Sequence, residues 1–289
     1  MRSINFTAEE EHNGKKIYFL LKSDMGVSSR LVRTLKHTDD GILLNGERAR
    51  TVDTVKPGDI VTINIPDDTS RSALPVDYPL DVIYEDSDIL VINKPAGLAM
   101  HESHNHQSDT LANAVSGYLL SKGEPCVFRA VGRLDKDTSG VVICAKHIMA
   151  ASKLSGKIKK QYLAIVQGEL TGDGSIDVRI YRPDPMKTLR AAGDFGEEAL
   201  TNWVSLKSNS EYSLIKVTPL TGRTHQIRVH LSYIGHPLAG DEMYGGRRLL
   251  INRHALHCEK VVLNHPVTGE KITFTAQLPA DMCTLADGI

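Results

Sequence analysis

Short apolar runs and alternating stretches, each closed by a polar turn, divide this chain into elements before any chemistry is considered. Ile89-Leu90-Val91-Ile92-Asn93 and Val141-Val142-Ile143-Cys144-Ala145 are short, apolar and β-branched, the pattern of buried strands. Residues 60–65 and 212–220 alternate apolar with polar side chains and predict strands with one buried face. Ile42-Leu43-Leu44 runs into Asn45-Gly46, the strongest short hairpin signal, and Pro57-Gly58 turns the chain into the strand at 60–65. Helical spacing appears in four places. Leu31 and Leu35 recur behind Ser28 and Ser29, which can cap, with Arg30, Arg33 and Lys36 on the polar positions. Leu111, Ala114, Val115, Tyr118 and Leu119 follow Ser108, the expected cap. Residues 147–160 predict a helix that carries Lys153, Lys157 and Lys160 along one face. Ile227, Leu231 and Ile234 form the core face of a helix capped by Thr224 and ended by Gly235 and Pro237. That spacing leaves His225, Arg228 and Ser232 together on a different, polar face.

The pattern gives an α+β chain in three parts: a small unit over 1–66, a Pro-, Ser- and Asp-rich linker over 67–79, and a larger domain over 80–289. Residues 173–198 yield only short strands or loops, and 254–274 supply two closing strands. Composition changes this picture little: 41% hydrophobic and 24% charged residues suit a globular protein. The chain has no apolar run near the ~20 residues that a membrane helix needs, and residues 1–11 lack the apolar core of a signal peptide. Cys126, Cys144, Cys258 and Cys283 are scattered without a C-x-x-C pair, which points to free thiols in a reducing cytoplasm. The net charge of −1 excludes a promiscuous nucleic-acid binder, so any RNA role must rest on local basic patches.

The candidate chemistry is concentrated in Gly132-Arg133-Leu134-Asp135-Lys136-Asp137-Thr138-Ser139-Gly140, a charged loop that feeds the buried strand at 141–145. Taken alone, Asp137-Thr138-Ser139-Gly140 is an ordinary turn composition. An aspartic protease would need Asp-Thr-Gly and a second copy to pair the carboxylates; Ser139 interrupts the first, and the second is missing. A two-carboxylate hydrolase would use Asp135 and Asp137 facing one site. His101, His104 and His106 lie close in sequence, but Asn105 breaks the His-Glu-x-x-His zinc spacing, so no metal site is expected. Lys94, after the strand at 89–93, reads as a solvated turn lysine.

In the wider frame, R-L-D-x-x-T-S-G resembles the central motif of the Rlu-type pseudouridine synthases. E-D-x-D-I-L-V-I-N-K-P-A-G-L, ending at Leu98, resembles their first motif. K-x-Y-x-A-x-V-x-G at 160–168 resembles a further stretch, and G-R-T-H-Q-I-R-V-H-L with G-H-P-L-x-G-D-x-x-Y-G, from Gly222 to Gly245, resembles the third motif. The resemblance implies a catalytic domain on a mixed, mainly antiparallel sheet flanked by helices, with a central cleft. It implies Asp135 as the catalytic residue, Arg228 as its partner, Tyr162 against the target base, and Arg133 filling the stack the base vacates. The family pattern has histidine before Arg-Leu-Asp; Gly132 stands there in this chain. The basic helix, G-I-L-L-N-G and V-K-P-G-D-I-V-T-I resemble the small RNA-binding domain named after ribosomal protein S-four, which implies phosphate contacts from Arg30, Arg33 and Lys36.

Pseudouridine formation detaches uracil from ribose carbon 1′ at nitrogen 1, turns the base and rejoins it through carbon 5, where one proton is lost. It needs an ionised carboxylate near the ribose and no cofactor. The expected partner is RNA, ribosomal RNA ahead of transfer RNA because a separate RNA-binding unit precedes the enzyme, with a cytoplasmic monomer as the default state. The competing class is a non-catalytic RNA-binding factor on the same fold.

Overall fold

The computed structural model describes residues 1–67, 73–103, 107–124 and 127–289. The amino-terminal part runs β1 (Arg2–Thr7), α1 (Ile17–Ser23), α2 (Ser29–Lys36), β2 (Ile42–Leu44), β3 (Glu47–Arg48) and β4 (Ile60–Ile65), with its sheet in the order β1-β4-β2-β3. Ser28 caps α2 by accepting from the Leu31 amide at 3.2 Å, and Leu31 and Leu35 are buried while Arg30, Arg33 and Lys36 face solvent. Asn45 and Gly46 take φ of 53° and 88°, so both central residues of the β2–β3 turn are left-handed, as a tight hairpin requires. The hydrophobic pattern did not mark β1 or α1. β1 is an edge strand with few apolar residues, paired among the described residues only with β4.

The larger part continues as β5 (Val82–Glu85), β6 (Ile89–Lys94), α3 (Leu111–Ser121), β7 (Ser139–Ala145), α4 (Ile148–Leu154), β8 (Lys159–Gln167), β9 (Asp173–Asp177), β10 (Arg179–Tyr181) and β11 (Ala191–Gly193). It ends with β12 (Leu200–Ser208), β13 (Tyr212–Pro219), α5 (Gln226–Tyr233), β14 (Leu256–Asn264), β15 (Lys271–Thr275) and α6 (Ala280–Asp287). Among the described residues its main sheet has nine strands in the order β5-β6-β7-β14-β8-β13-β12-β9, with β15 paired to β14. Every pairing in it is antiparallel except β7 with β14, so the mixed, mainly antiparallel α+β sheet expected from the motifs is present. The parallel pair sits at the sheet centre, where Gly140 lies opposite Cys258. Gly140 has φ of 112°, and a Cβ there would come within 2.2 Å of the Cys258 carbonyl, so only glycine lets the two strands meet.

Three local expectations are corrected. The cap of α3 is Thr110, whose hydroxyl accepts from the Asn113 amide, because the helix begins at Leu111 rather than after Ser108. The helix at 147–160 ends at Leu154: Ser155 leaves helical geometry, Gly156 turns with φ of 70°, and Lys159 already begins β8. Lys153, Lys157 and Lys160 therefore sit on a helix, a turn and a strand, not on one helical stripe. Thr224 does not cap α5; His225 occupies that position with φ of 57° and no capping side-chain bond. His104, Asn105, His106 and Cys126 lie outside the described residues.

Asp88 joins the two parts. Its carboxylate accepts from Arg2 of β1 at 2.9 and 3.1 Å and from His147, the cap of α4, at 2.9 Å. Met149 of α4 is buried in the same cluster as Leu31, Leu35 and Ile63 of the small sheet. Burial pushes the Asp88 pKa up, but the His147 and Arg2 hydrogen bonds overcome it and hold the carboxyl well below the usual range. Its stabilising contribution is present above the ordinary aspartate pKa and is lost as pH falls toward the depressed value. Asp86, Asp88 and His265 bring potential metal-ligand atoms within 4.8 Å of one another, yet Asp86 is bonded to His265 and Asp88 to Arg2 and His147. Asp88→Asn should lower unfolding stability by about 2 kcal/mol, less than a fully buried ion pair would lose, because Arg2 can turn to solvent. Urea denaturation at neutral pH checks this.

Candidate active site

The loop between Val131 and Ser139 leads into β7 and is held from several directions. Lys94, at the end of β6, is fully buried, and its Nζ donates to the carbonyls of Pro95, Leu98 and Lys136 at 2.8, 2.8 and 2.9 Å. The solvated-turn reading of this residue is thus wrong: the ammonium is a tripod that pins the loop one residue after Asp135. Burial pushes its pKa down to about 7, while Asp137 and Asp135 pull the other way. The tripod also opposes that shift, since only the charged amine has three N–H groups for three carbonyls. Arg253 donates to the Asp137 carbonyl at 3.1 Å and is itself held by Asp281 of α6 at 2.7 and 2.9 Å. The Thr138 hydroxyl lies 2.8 Å from His254 Nε2, and burial drives the His254 pKa down to about 3, keeping it neutral. Lys94→Met should cost about 2–3 kcal/mol of stability, since three carbonyls lose a donor and the apolar stem remains. It should also reduce turnover more than RNA affinity, checked by thermal unfolding alongside single-turnover kinetics.

Asp135 lines a cavity of about 740 Å³ together with Gly132, Arg133, Lys160, Tyr162, His225 and Arg228. Its side chain is 18% exposed, and its Oδ2 accepts from Arg228 Nη1 at 3.1 Å. Arg228 projects from α5 and is fixed in turn by a bidentate pair with Asp241, Nε to Oδ2 at 2.7 Å and Nη2 to Oδ1 at 2.8 Å. Its guanidinium carbon stands 4.9 Å from the Tyr244 ring centroid. Desolvation works against the charge on Arg228, but Asp241 and Asp135 more than compensate and raise its pKa. The polar face expected on α5 is thus real and packs on the turn at 241–244: His225 Nδ1 lies 2.8 Å from the Tyr244 hydroxyl, and Ser232 donates to the Tyr244 carbonyl at 2.7 Å. Tyr162 enters from β8 with its ring buried, and burial pushes its hydroxyl pKa up, so it stays a neutral phenol. Lys160 reaches the cavity from the same strand and donates to the Arg133 carbonyl at 3.4 Å. Arg133 is exposed at the cavity mouth.

The structure therefore brings together Asp135, Arg228, Tyr162, Arg133 and Lys160. Lys153 and Lys157 do not line the cavity, and the Lys153 stem lies against Gly26 of the small unit. Arg30, Arg33 and Lys36 belong to that unit's exposed helix face. Asp137 does not line the cavity, so a site with two facing carboxylates at 135 and 137 is not built. Gly132 has φ of 77°, a conformation a histidine would hold only under strain. Asp241, Tyr244 and Lys94 lay inside the quoted motifs but drew no role, because a spacing pattern does not reveal which distant side chain a residue will meet.

Residues 88–233 match the sequence family described as RNA pseudouridylate synthase. Over 98% of its length the chain is 38% identical to the "uncharacterized RNA pseudouridine synthase YhcT" of Bacillus subtilis, covering 96% of that protein. It is 36% identical, over 89% of its length, to "ribosomal large subunit pseudouridine synthase D" of Xylella fastidiosa, covering 83% of that protein. Among solved structures, human RNA pseudouridylate synthase domain containing 4 superposes with a TM-score of 0.56 at 23% identity, over 70% of this chain and 90% of that one, which supports the fold.

Proposed function

The chain belongs to the RNA pseudouridylate synthase family, and we propose that Asp135 is the residue through which it isomerises uridine in RNA. The protein is an isomerase that acts on RNA. The observation that carries the assignment is the chain of contacts from Asp241 through Arg228 to one oxygen of Asp135, at the wall of a cavity large enough for a nucleotide. A carboxylate so held is oriented before substrate arrives, which is where positioning lowers a barrier. In this reading Asp135 faces carbon 1′ of the ribose, Tyr162 lies along the uracil face, and Arg133 takes the place of the extruded base. The uracil stays in the cavity after its bond to the sugar breaks, turns, and reattaches through carbon 5; the proton on carbon 5 passes to water.

The substrate is ribosomal RNA in our reading, supported by the name of the Xylella fastidiosa relative and by the small unit's arrangement. That unit, residues 1–66 with the linker at 67–79 before the catalytic domain at 80–289, is proposed as an S-four-like RNA-binding domain. Arg30, Arg33 and Lys36, with Lys153, Lys157 and Lys160, would meet phosphates and set the register of the RNA without reading its sequence. The working form is a cytoplasmic monomer that needs no cofactor.

The test uses RNA with tritium on uracil carbon 5, made in cells lacking the protein. Release of tritium to water from ribosomal RNA, with none from transfer RNA, is the expected result. Tight RNA binding without any release would replace the enzyme reading with a non-catalytic RNA-binding factor.

A further inference from the structure

His225 stands at the wall of the cavity, and the isomerase reading gives it no role. Its side chain is 11% exposed, and its Nε2 lies 3.8 Å from Asp135 Oδ2, the oxygen that Arg228 also holds. It is also one of three non-glycine residues at positive φ among those described, with φ of 57° and ψ of 19°. A histidine held in the left-handed region at the edge of a catalytic cavity is a strained choice where glycine would fit without strain.

The hydrogen bonds fix which ring nitrogen carries the proton. The Tyr244 hydroxyl accepts from the Arg190 amide at 3.0 Å and lies 2.8 Å from His225 Nδ1. With a lone pair of the phenol oxygen taken by Arg190, its own proton has Nδ1 as its acceptor. Nδ1 is then unprotonated and Nε2 carries the hydrogen. The opposite tautomer would leave the hydroxyl proton without a partner and turn a lone pair of Nε2 toward a carboxylate oxygen. Both ends of the ring favour the same form. Desolvation lowers the His225 pKa, Asp135 and Asp241 oppose it, and Arg228 and Arg190 add to it, so the ring is neutral at physiological pH. Tyr244 thus organises Arg228 and His225, which both approach Asp135 Oδ2, with its ring against Arg228 and its hydroxyl on His225.

Building on the isomerase reading, we infer that His225, fixed as the Nε2–H tautomer by Tyr244, is a positioning residue for Asp135. It shares Oδ2 with Arg228 and leaves Oδ1 as the oxygen presented to the ribose. Among the described residues no hydrogen bond reaches Oδ1. The 3.8 Å separation is longer than a hydrogen bond and closes when substrate fills the cavity, as active-site contacts commonly do.

The experiment has two readouts. Nitrogen-15 NMR of histidine-labelled protein, with His225 assigned by difference against His225→Ala, should report the Nε2–H tautomer in the wild type and a mixed form in Tyr244→Phe. In single-turnover tritium release, His225→Ala should lower the rate about ten- to a hundredfold at unchanged RNA affinity, the size expected for one hydrogen bond to a charged group. His225→Gln, which restores an N–H donor, should recover part of that loss, and Tyr244→Phe, which keeps the ring, should lose several-fold. An Nδ1–H tautomer in the wild type would overturn the inference, as would a loss confined to RNA affinity or full activity in both His225→Ala and Tyr244→Phe. If the wild type releases no tritium from any RNA, the isomerase reading fails, while the tautomer still decides whether Tyr244 fixes His225.

Discussion

Asp135→Asn is expected to abolish tritium release, lowering the rate at least about a thousandfold, as replacing the reacting group of an enzyme commonly does. The substitution is nearly isosteric and sits on a side chain that is 18% exposed, so it leaves no cavity. Arg228 keeps both bonds to Asp241 and remains neutralised after the change. The asparagine oxygen can still accept from Arg228, so the loop keeps its shape. What is lost is the negative charge beside carbon 1′, and with it every role open to the group: nucleophile, base for a sugar proton, or counter-charge to a developing cation. Stability should therefore change by about 1 kcal/mol or less, and RNA affinity should hold or rise, because one negative charge leaves a cavity that receives a polyanion. Asp137→Asn is the matched control. Its side chain does not line the cavity, and Arg253 holds its backbone carbonyl, which the substitution leaves in place. Equal loss of activity in both variants, with both folded, would mean that the two carboxylates work as a pair and would overturn Asp135 as the single catalytic carboxylate.

The residues that act on Asp135 differ in how much of their role the sequence reveals. Arg228 could be read because it lies on a helix whose apolar residues are spaced every three or four positions, inside a motif long enough to be specific. Its second partner, Asp241, lies thirteen residues on, across a helix end and a turn. The motif contains that aspartate, but nothing in its spacing says that it reaches back. Lys94 was misread for the same reason. A lysine next to Pro95 and Gly97 looks like part of an exposed turn, and only the return of the chain at Lys136 closes a shell of carbonyls around it. Arg253 and Asp281 support Asp137 from more than a hundred residues away, which no local pattern can report. Strands with a strong apolar signature, β6, β7, β13 and β14, were legible. β1 and β9 were not, since edge strands bury little and carry few apolar residues. The lysine stripe failed because periodicity was followed past Ser155, where the chain leaves the helix, and across the left-handed turn at Gly156.

Arg228→Met should cost both stability and activity, and the two losses can be separated. Asp241 is 2% exposed, and its oxygens accept from Nε and Nη2 of Arg228. Removing the guanidinium leaves a buried carboxylate without its counter-charge, a change worth about 3–5 kcal/mol of stability. Arg228→Lys should recover part of that stability but little of the rate. An ammonium can neutralise Asp241 from one point, but it cannot hold Asp241 and Asp135 at once in the fixed geometry of a planar fork. The decisive variant is the double replacement Arg228→Met with Asp241→Leu. It removes the unpaired charge and fills the space with apolar volume, so most of the lost stability should return, as buried ion pairs exchanged for hydrophobic side chains commonly permit. Activity should not return, because Asp135 still lacks the donor that orients it. Urea denaturation and tritium release on the same preparations read the two quantities. If the restabilised double variant also regained turnover, Arg228 would be serving the fold alone, and the orientation of Asp135 would rest on the loop clamps from Lys94, Arg253 and His254.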